Sequence, residues 1–409
     1  MRKNYNGLIG SLYTNYIFQG IAAIIISQNL KQLTAYWGAS VQEVMLVMSA
    51  IGLGRLLILY FAGTISDKVG RKKTILLGML CYLIFFGGIL ISKNYIQGFI
   101  FALFAGFSNA FLDTGTYPTL VEAYPESKDS SSLSVLNKAF ISLGQFLLPF
   151  GMRIILTQQL FFGYIFFLCF VILLINLFVM LRQSYPEVIV EQTIVEEIKE
   201  TTFKPRMKLE GLALIIFGFT SVSTFNIFIT WVPTLAEKLQ LMSEKDSLIL
   251  ISIYSVGSFI SVFFTSYLVK KNISSTFLLV ACGGLSTIVL LLLTLFPSAF
   301  MLMVAAIGVG VFSAGGVWQL ALALLLEFFP TRKGRITSYY SLASALSVMI
   351  IPYATGYLSE LHFISIFWLD IFLTFVGFVC TVVIYIRYKQ LQEQTSLLNQ
   401  EPVKQKQLI

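Results

Sequence analysis

The sequence predicts an all-α membrane protein: twelve transmembrane helices in two pseudo-symmetric six-helix bundles, with both termini cytoplasmic. Three observations carry this. Hydrophobic residues make up 57% of the 409 and charged residues only 12%, with a mean hydropathy of +0.82, more apolar surface than a soluble core can bury. Twelve apolar runs punctuate the chain, each near the length of about 20 residues that a helix needs to cross the hydrocarbon. A segment of the first half also recurs in the second.

In order, the runs fall at residues 8–32, 43–66, 74–92, 96–123, 132–157 and 161–182, then at 209–238, 244–269, 275–296, 298–328, 335–358 and 362–387. They are continuous rather than alternating, which excludes the roughly ten-residue strands of an outer-membrane barrel. The chain opens Met1, Arg2, Lys3, Asn4, and the first run is too long for a cleavable signal and lacks a small-residue cleavage site. The bundles are expected at 1–182 and 209–388, joined by a linker at 183–208. That linker is acidic at Glu187, Glu191, Glu196, Glu197 and Glu200 and ends in Lys204, Arg206 and Lys208; it reads as a solvated connection, with a surface helix as the other possibility. The tail, 389–409, is polar and Gln-rich and is expected to fray.

Lys and Arg placement gives the orientation. With the amino terminus inside, the inner segments hold Lys68, Arg71, Lys72, Lys73, Arg182, Arg206, Lys208, Lys270, Lys271, Arg332, Lys333, Arg335 and Arg387 among others, whereas the outer ones hold Lys31, Lys93, Lys238 and Lys245, with Arg153 near a helix end. The net charge of +8 is thereby assigned to a membrane face rather than to a nucleic acid. Four cysteines, Cys81, Cys169, Cys282 and Cys380, lie inside apolar runs at no metal or disulfide spacing and read as small core residues. No cofactor motif, metal cluster or nucleophile–base pair stands out, so an enzyme is not expected.

The repeat is read from the chain alone. Glu122, Pro125 and Lys128 close the fourth run, and Glu327, Pro330 and Lys333 close the tenth, 205 residues on; Gly52 and Gly257 share that offset. Two like halves around a midplane cavity permit alternating access.

Between the second and third runs lies a polar hairpin with Gly63, Asp67, Lys68, Gly70, Arg71, Lys72 and Lys73. It resembles the signature of the major facilitator superfamily, with Lys68 for the usual Arg. The resemblance implies a cytoplasmic latch: Gly63 for close helix approach, Asp67 facing the start of the eleventh helix, and the basic residues pairing with an acid at the end of the fourth, for which Glu122 fits. By the same analogy Glu327 would pair with Arg332 or Arg335. The second-half hairpin at 269–272 lacks the Asp and Gly, so that latch is degenerate.

Charge inside a membrane span is costly and is a functional hypothesis by default. Arg55 lies near the middle of the second run and Asp113 just past the middle of the fourth. Asp113, Thr114, Gly115, Thr116, Tyr117 and Pro118 resemble a run of the fucose permease branch in which the acid is associated with proton coupling, although Tyr117 replaces an Asn. A carboxylate that meets Arg55 only in some conformations can load and release a proton; a permanent Arg55–Asp113 bridge that only fixes packing is the other reading. Arg55 could also hold a substrate carboxylate. Lys138 and Arg153 are expected to snorkel to opposite faces. Asp370 reads as a packing residue and His362, in an outer loop, as no relay.

Uncharged polar residues outline the expected cavity: Asn15, Tyr16 and Gln19 on the first helix, where the three- and four-residue spacings share a face and Tyr13 extends it, then Asn109, Tyr117, Gln145, Asn226, Trp231, Trp318 and Gln319. Trp318 stands 205 residues after Asp113, opposite it across the pseudo-two-fold axis. The run Ile229 to Leu235, with Trp231 and Pro233, resembles the seventh-helix ending of organic anion and metabolite symporters; Gly144 to Gly151 matches a drug-antiporter motif only in part. The expectation is a monomeric secondary transporter of a small polar metabolite, an organic acid or sugar-like solute, driven by protons. A proton-driven drug or metabolite exporter, and a transport-fold sensor or scaffold, are the alternatives.

Overall fold

The structure, a computed structural model, describes residues 5–123, 130–186, 205–271, 273–329 and 333–406. Twelve helices long and apolar enough to cross a membrane occur among them: α1 (Asn6–Gln28), α2 (Val41–Val69), α3 (Arg71–Ile91), α4 (Tyr95–Ala123), α5 (Ser130–Thr157), α6 (Gly163–Arg182), α7 (Leu212–Lys238), α8 (Ile249–Lys270), α9 (Ser275–Leu295), α10 (Ala299–Phe328), α11 (Lys333–Leu361) and α12 (Ser365–Lys406). In lipid the backbone must satisfy its own polar groups, so runs of this length become helices whatever their propensity. Outward-facing Phe167, Phe178, Phe264, Phe300 and Phe372 are exposed, as a hydrocarbon-facing girdle requires.

Local chemistry sets the boundaries. At the head of α2, Ser40 Oγ accepts from the Glu43 N–H at 3.2 Å while Glu43 Oε2 accepts from the Ser40 N–H at 2.8 Å, a capping box. Between α2 and α3 the chain turns on one residue, Gly70, at φ 94° and ψ 155°, a region only glycine enters without strain. Midway along α10 a π-helical turn, Gly310–Ala314, loosens the ladder; Ser261 Oγ donates to the Val311 carbonyl at 2.7 Å and Ser221 Oγ to that of Ser313 at 3.2 Å, satisfying carbonyls at the break.

The halves meet along α2 against α11 and α5 against α8. Ser49 Oγ accepts from the Tyr353 N–H at 3.0 Å, Ser252 Oγ donates to the Phe146 carbonyl at 2.9 Å, and the Ser142 and Ser258 hydroxyls are 3.2 Å apart. The repeat is visible in the packing. A Cβ on Gly106 would run into the Ile51 carbonyl and the Arg55 nitrogen, and a Cβ on Gly310 into the Tyr254 carbonyl and the Ser258 nitrogen, so α2–α4 and α8–α10 use one close contact twice.

Two segments add to the expected outline. Between the first two spans lies a short helix, Leu30–Trp37, which ends at Gly38 in the left-handed region. The tail beyond Lys389 is helical as far as Lys406, as a continuation of α12, through a stretch whose Leu, Gln, Glu and Lys residues are good helix formers. Residues 187–204 of the linker lie outside the described residues.

Polar ties between the halves gather at the face opposite the termini. Lys31 pairs with both Glu237 and Glu244, Gln32 Nε2 donates to Glu244 at 3.3 Å, Arg153 reaches Asp246 at 2.9 Å, and Glu360 accepts from the Gln42 N–H at 3.0 Å. At the basic face, Arg71 with Asp67 and Glu122, and Arg387 with Glu210, each stay within one half. Among the described residues, the ion pairs between the halves therefore lie at one end of the bundle.

Candidate functional site: a polar cavity between the halves

A cavity of about 210 Å3 lies where both halves contribute walls. From the first half come Gln19 on α1, Arg55 on α2, Asn109, Asp113 and Tyr117 on α4, and Lys138 and Gln145 on α5. From the second come Phe225 and Asn226 on α7, Trp318 and Gln319 on α10, and Ser344 on α11. Asp113 and Trp318 therefore share one cavity.

The charged centre is built from three helices. Arg55 Nη2 donates to Asp113 Oδ2 at 2.9 Å, and the Tyr16 hydroxyl donates to Oδ1 at 3.2 Å. Both charged side chains keep limited access to the cavity, 25% exposed for Arg55 and 18% for Asp113. Tyr16 itself is 1% exposed and does not line the cavity; it acts from behind, fixing the carboxylate, with its ring edge-on to Tyr117 at 6.2 Å. Asn109 accepts from the Tyr82 hydroxyl, and Trp318 Nε1 donates to Ser344 Oγ at 2.9 Å.

Several amides around the cavity are open to a ligand. The buried oxygens of Gln19, Gln145 and Gln319 have no hydrogen-bond partner among the described residues, and a buried polar group left so is costly until something fills the role. Asn226 is partly committed, its Nδ2 donating to the Val222 carbonyl at 2.9 Å.

Other expected site residues lie elsewhere. Asn15 is fully buried and accepts from Asn176 of α6 at 2.9 Å; one residue from Tyr16 is a rotation of about 100° on a helix, so the two cannot share a wall. Tyr13 stacks on Phe140 at 4.3 Å. Trp231 is buried towards the tied face, edge-on to Phe363 at 5.8 Å, and borders a separate vestibule of about 380 Å3 with Lys31, Glu237 and Glu244. Asp370 is fully buried, and neither carboxyl oxygen has a hydrogen-bond partner among the described residues.

Lys138 was expected to snorkel to the basic face; instead it lines the cavity, its ammonium 5.2 Å from the centre of the Phe225 ring. Helix α5 begins two turns before it, at Ser130, which places it too deep for its four-carbon stem to reach the end of the helix. A signal existed: Gln145 follows it by seven residues, two helical turns along one face.

The hairpin between α2 and α3 has its own geometry. Arg71 donates to Ser66 Oγ at 2.7 Å and Asp67 Oδ1 at 2.9 Å through Nη1, and to Glu122 Oε1 at 3.4 Å through Nε. Lys72 donates to the carbonyls of Leu181 at 2.9 Å and Gln183 at 3.2 Å, binding the hairpin to the end of α6. Two expectations are not met. Gly63 has no neighbour within 4 Å of where a Cβ would stand, and Asp67 is 74% exposed and turned to Arg71. In the second half Glu327 accepts from the Tyr388 hydroxyl of α12 at 3.2 Å, not from the exposed Arg335; Arg332 lies outside the described residues. A pair that the sequence reading missed, Arg387 Nε to the fully buried Glu210 at 2.8 Å, joins α12 to the turn before α7.

The family profile described as Major Facilitator Superfamily matches residues 12–293 and 216–407. The inner membrane transport protein YdiM of Escherichia coli K12 is 35% identical over 400 residues, covering 97% of this chain and 98% of that protein. Among solved structures, a D-xylose-proton symporter superposes with a TM-score of 0.74 at 15% identity, covering 93% of this chain and 96% of that one. FucP in its outward conformation gives 0.62 at 15% identity, covering 95% and 99%.

Proposed function

The chain belongs to the Major Facilitator Superfamily and is a multi-pass inner-membrane transporter, and on that premise we propose that it moves a small polar metabolite by proton-coupled symport. The observation that carries this reading is the Arg55–Asp113 pair in the wall of the shared cavity, with Tyr16 holding the carboxylate from behind. Arg55 and Tyr16 both donate to the carboxylate and so favour its charged form. When the helices shift and those donors withdraw, a buried carboxylate takes a proton instead. Coupling follows if that proton and the solute enter and leave together.

The basic face is read as cytoplasmic by the bias of Lys and Arg, which makes the present arrangement, tied at the opposite face, the inward-facing state. The hairpin around Arg71 would then close on α11 in the outward-facing state. The cavity, smaller than the roughly 300–1,000 Å3 of drug-sized sites, favours a compact solute, an organic acid or a sugar-like molecule. Drug or metabolite export is the second reading, because the direction of flux depends on gradients rather than on the site. A sensor or scaffold would have no use for a polar cavity with an ion pair in its wall. Counterflow in proteoliposomes loaded with candidate solutes tests the proposal: exchange of one small polar solute supports it, and exchange confined to cationic drugs replaces it with export.

A further inference from the structure

We infer that Lys138 is the anion anchor of this cavity and that the solute is a hydroxylated monocarboxylate whose carboxylate sits on the Lys138 ammonium. The inference rests on the transport reading above and narrows its substrate class.

The argument is one of charge. Three charged side chains line the cavity: Arg55, Asp113 and Lys138. Arg55 and Asp113 neutralise each other at 2.9 Å. Among the described residues Lys138 has no carboxylate within ion-pair distance; its ammonium lies over the face of Phe225, 5.2 Å from the ring centre. An aromatic face steadies an ammonium only in part, and an ammonium away from bulk water attracts an anion strongly. The empty cavity thus carries one uncompensated positive charge, and a ligand with one negative charge completes it. A phosphate monoester, nearer two charges, overshoots, and Arg55 is already engaged.

The rest of the ligand follows from what surrounds the ammonium. Gln145, two turns from Lys138 on the same helix, together with Gln19 and Gln319, presents amide oxygens with no partner among the described residues, acceptors that suit hydroxyl donors. Trp318 and Phe225 supply flat apolar walls. Hydroxyls next to a single carboxylate satisfy all of these at once.

Thermal shift of the purified full-length protein in detergent tests this with four pairs, each an acid and the neutral alcohol of the same skeleton: gluconate and sorbitol, lactate and propane-1,2-diol, mandelate and 1-phenylethane-1,2-diol, 4-hydroxybenzoate and 4-hydroxybenzyl alcohol. At least one acid is expected to raise the midpoint while its alcohol does not. Lys138→Gln should weaken that acid tenfold or more without lowering the unliganded midpoint, and Lys138→Arg should retain part of the affinity. The inference is overturned if an alcohol matches its acid, if no acid shifts the wild-type protein, or if Lys138→Gln binds the acid normally. Should Lys138→Gln fail to fold, the acid and alcohol pairs decide on the wild-type protein. Counterflow separates the two readings: exchange of a neutral alcohol keeps transport and ends the carboxylate anchor, whereas an acid that binds through Lys138 but never exchanges keeps the anchor and ends transport.

Discussion

Arg55 Nη2 stands 2.9 Å from Asp113 Oδ2, joining α2 to α4 in the wall of a cavity that both halves share. The same two helices touch backbone to backbone at Gly106, one turn before Asn109. Pairing and close approach together make the α2–α4 contact both rigid and charged.

Removing one member of the pair should cost more than removing both. Arg55→Gln leaves Asp113 without its cation, and hydrogen bonds to charged groups are worth about 1.5–3 kcal/mol, discounted here because both side chains keep some exposure. The double variant Arg55→Gln, Asp113→Asn should recover at least half of that loss in thermal midpoint. Additive losses would show that the two residues do not depend on each other.

Gly106→Ala and Gly310→Ala should each destabilise by about 1–3 kcal/mol, the usual cost of overpacking, because each Cβ meets backbone that no rotamer can move. Thermal midpoints of the two variants would be expected to fall together, as the contacts are repeats of one another.

Glu210→Ala should lower stability by roughly 2 kcal/mol, since it strips Arg387 of its partner and leaves the Arg206 N–H without its acceptor. Unfolding followed in detergent checks this, and an unchanged midpoint would show that the pair contributes nothing.

The tied face should loosen when its carboxylates are removed. For Lys31, burial works to lower the pKa, but the Glu237 hydrogen bond and the charges of Glu244 and Glu237 raise it above its ordinary 10.5. A raised pKa stabilises at every pH below 10.5 and the gain is lost only as pH climbs through the raised value, so the tie persists at neutral pH. Each exposed pair is worth under about 1 kcal/mol, yet that is enough to move a conformational balance several-fold. Glu237→Gln with Glu244→Gln should increase thiol labelling of a cysteine placed at Thr230 in a cysteine-free background, and high salt should mimic the effect in the unsubstituted carboxylates.

Much of this was legible beforehand because lipid leaves little choice. Apolar runs of twenty residues become helices, and a charge within them, as at Arg55 and Asp113, announces itself. Direction was harder to read. Asn15 and Tyr16 are neighbours in sequence yet serve α6 and Asp113 respectively, since one residue is more than a quarter turn. Lys138 sits close enough to the end of its apolar run to pass for a snorkelling residue, and only the true start of α5 at Ser130 places it in the cavity. Gly63 faces open space and Asp67 turns to Arg71, and a one-dimensional pattern does not say which neighbour a hairpin residue meets.

The central claim, that Asp113 couples protons to solute, is tested most directly in proteoliposomes by solute-driven proton uptake, using whichever solute passes counterflow. The wild-type protein should alkalinise the medium as solute enters and should accumulate it against its gradient under an imposed pH difference. Asp113→Asn should still exchange solute and do neither. Full accumulation by Asp113→Asn, or solute uptake by the wild-type protein with no proton movement, would contradict the account.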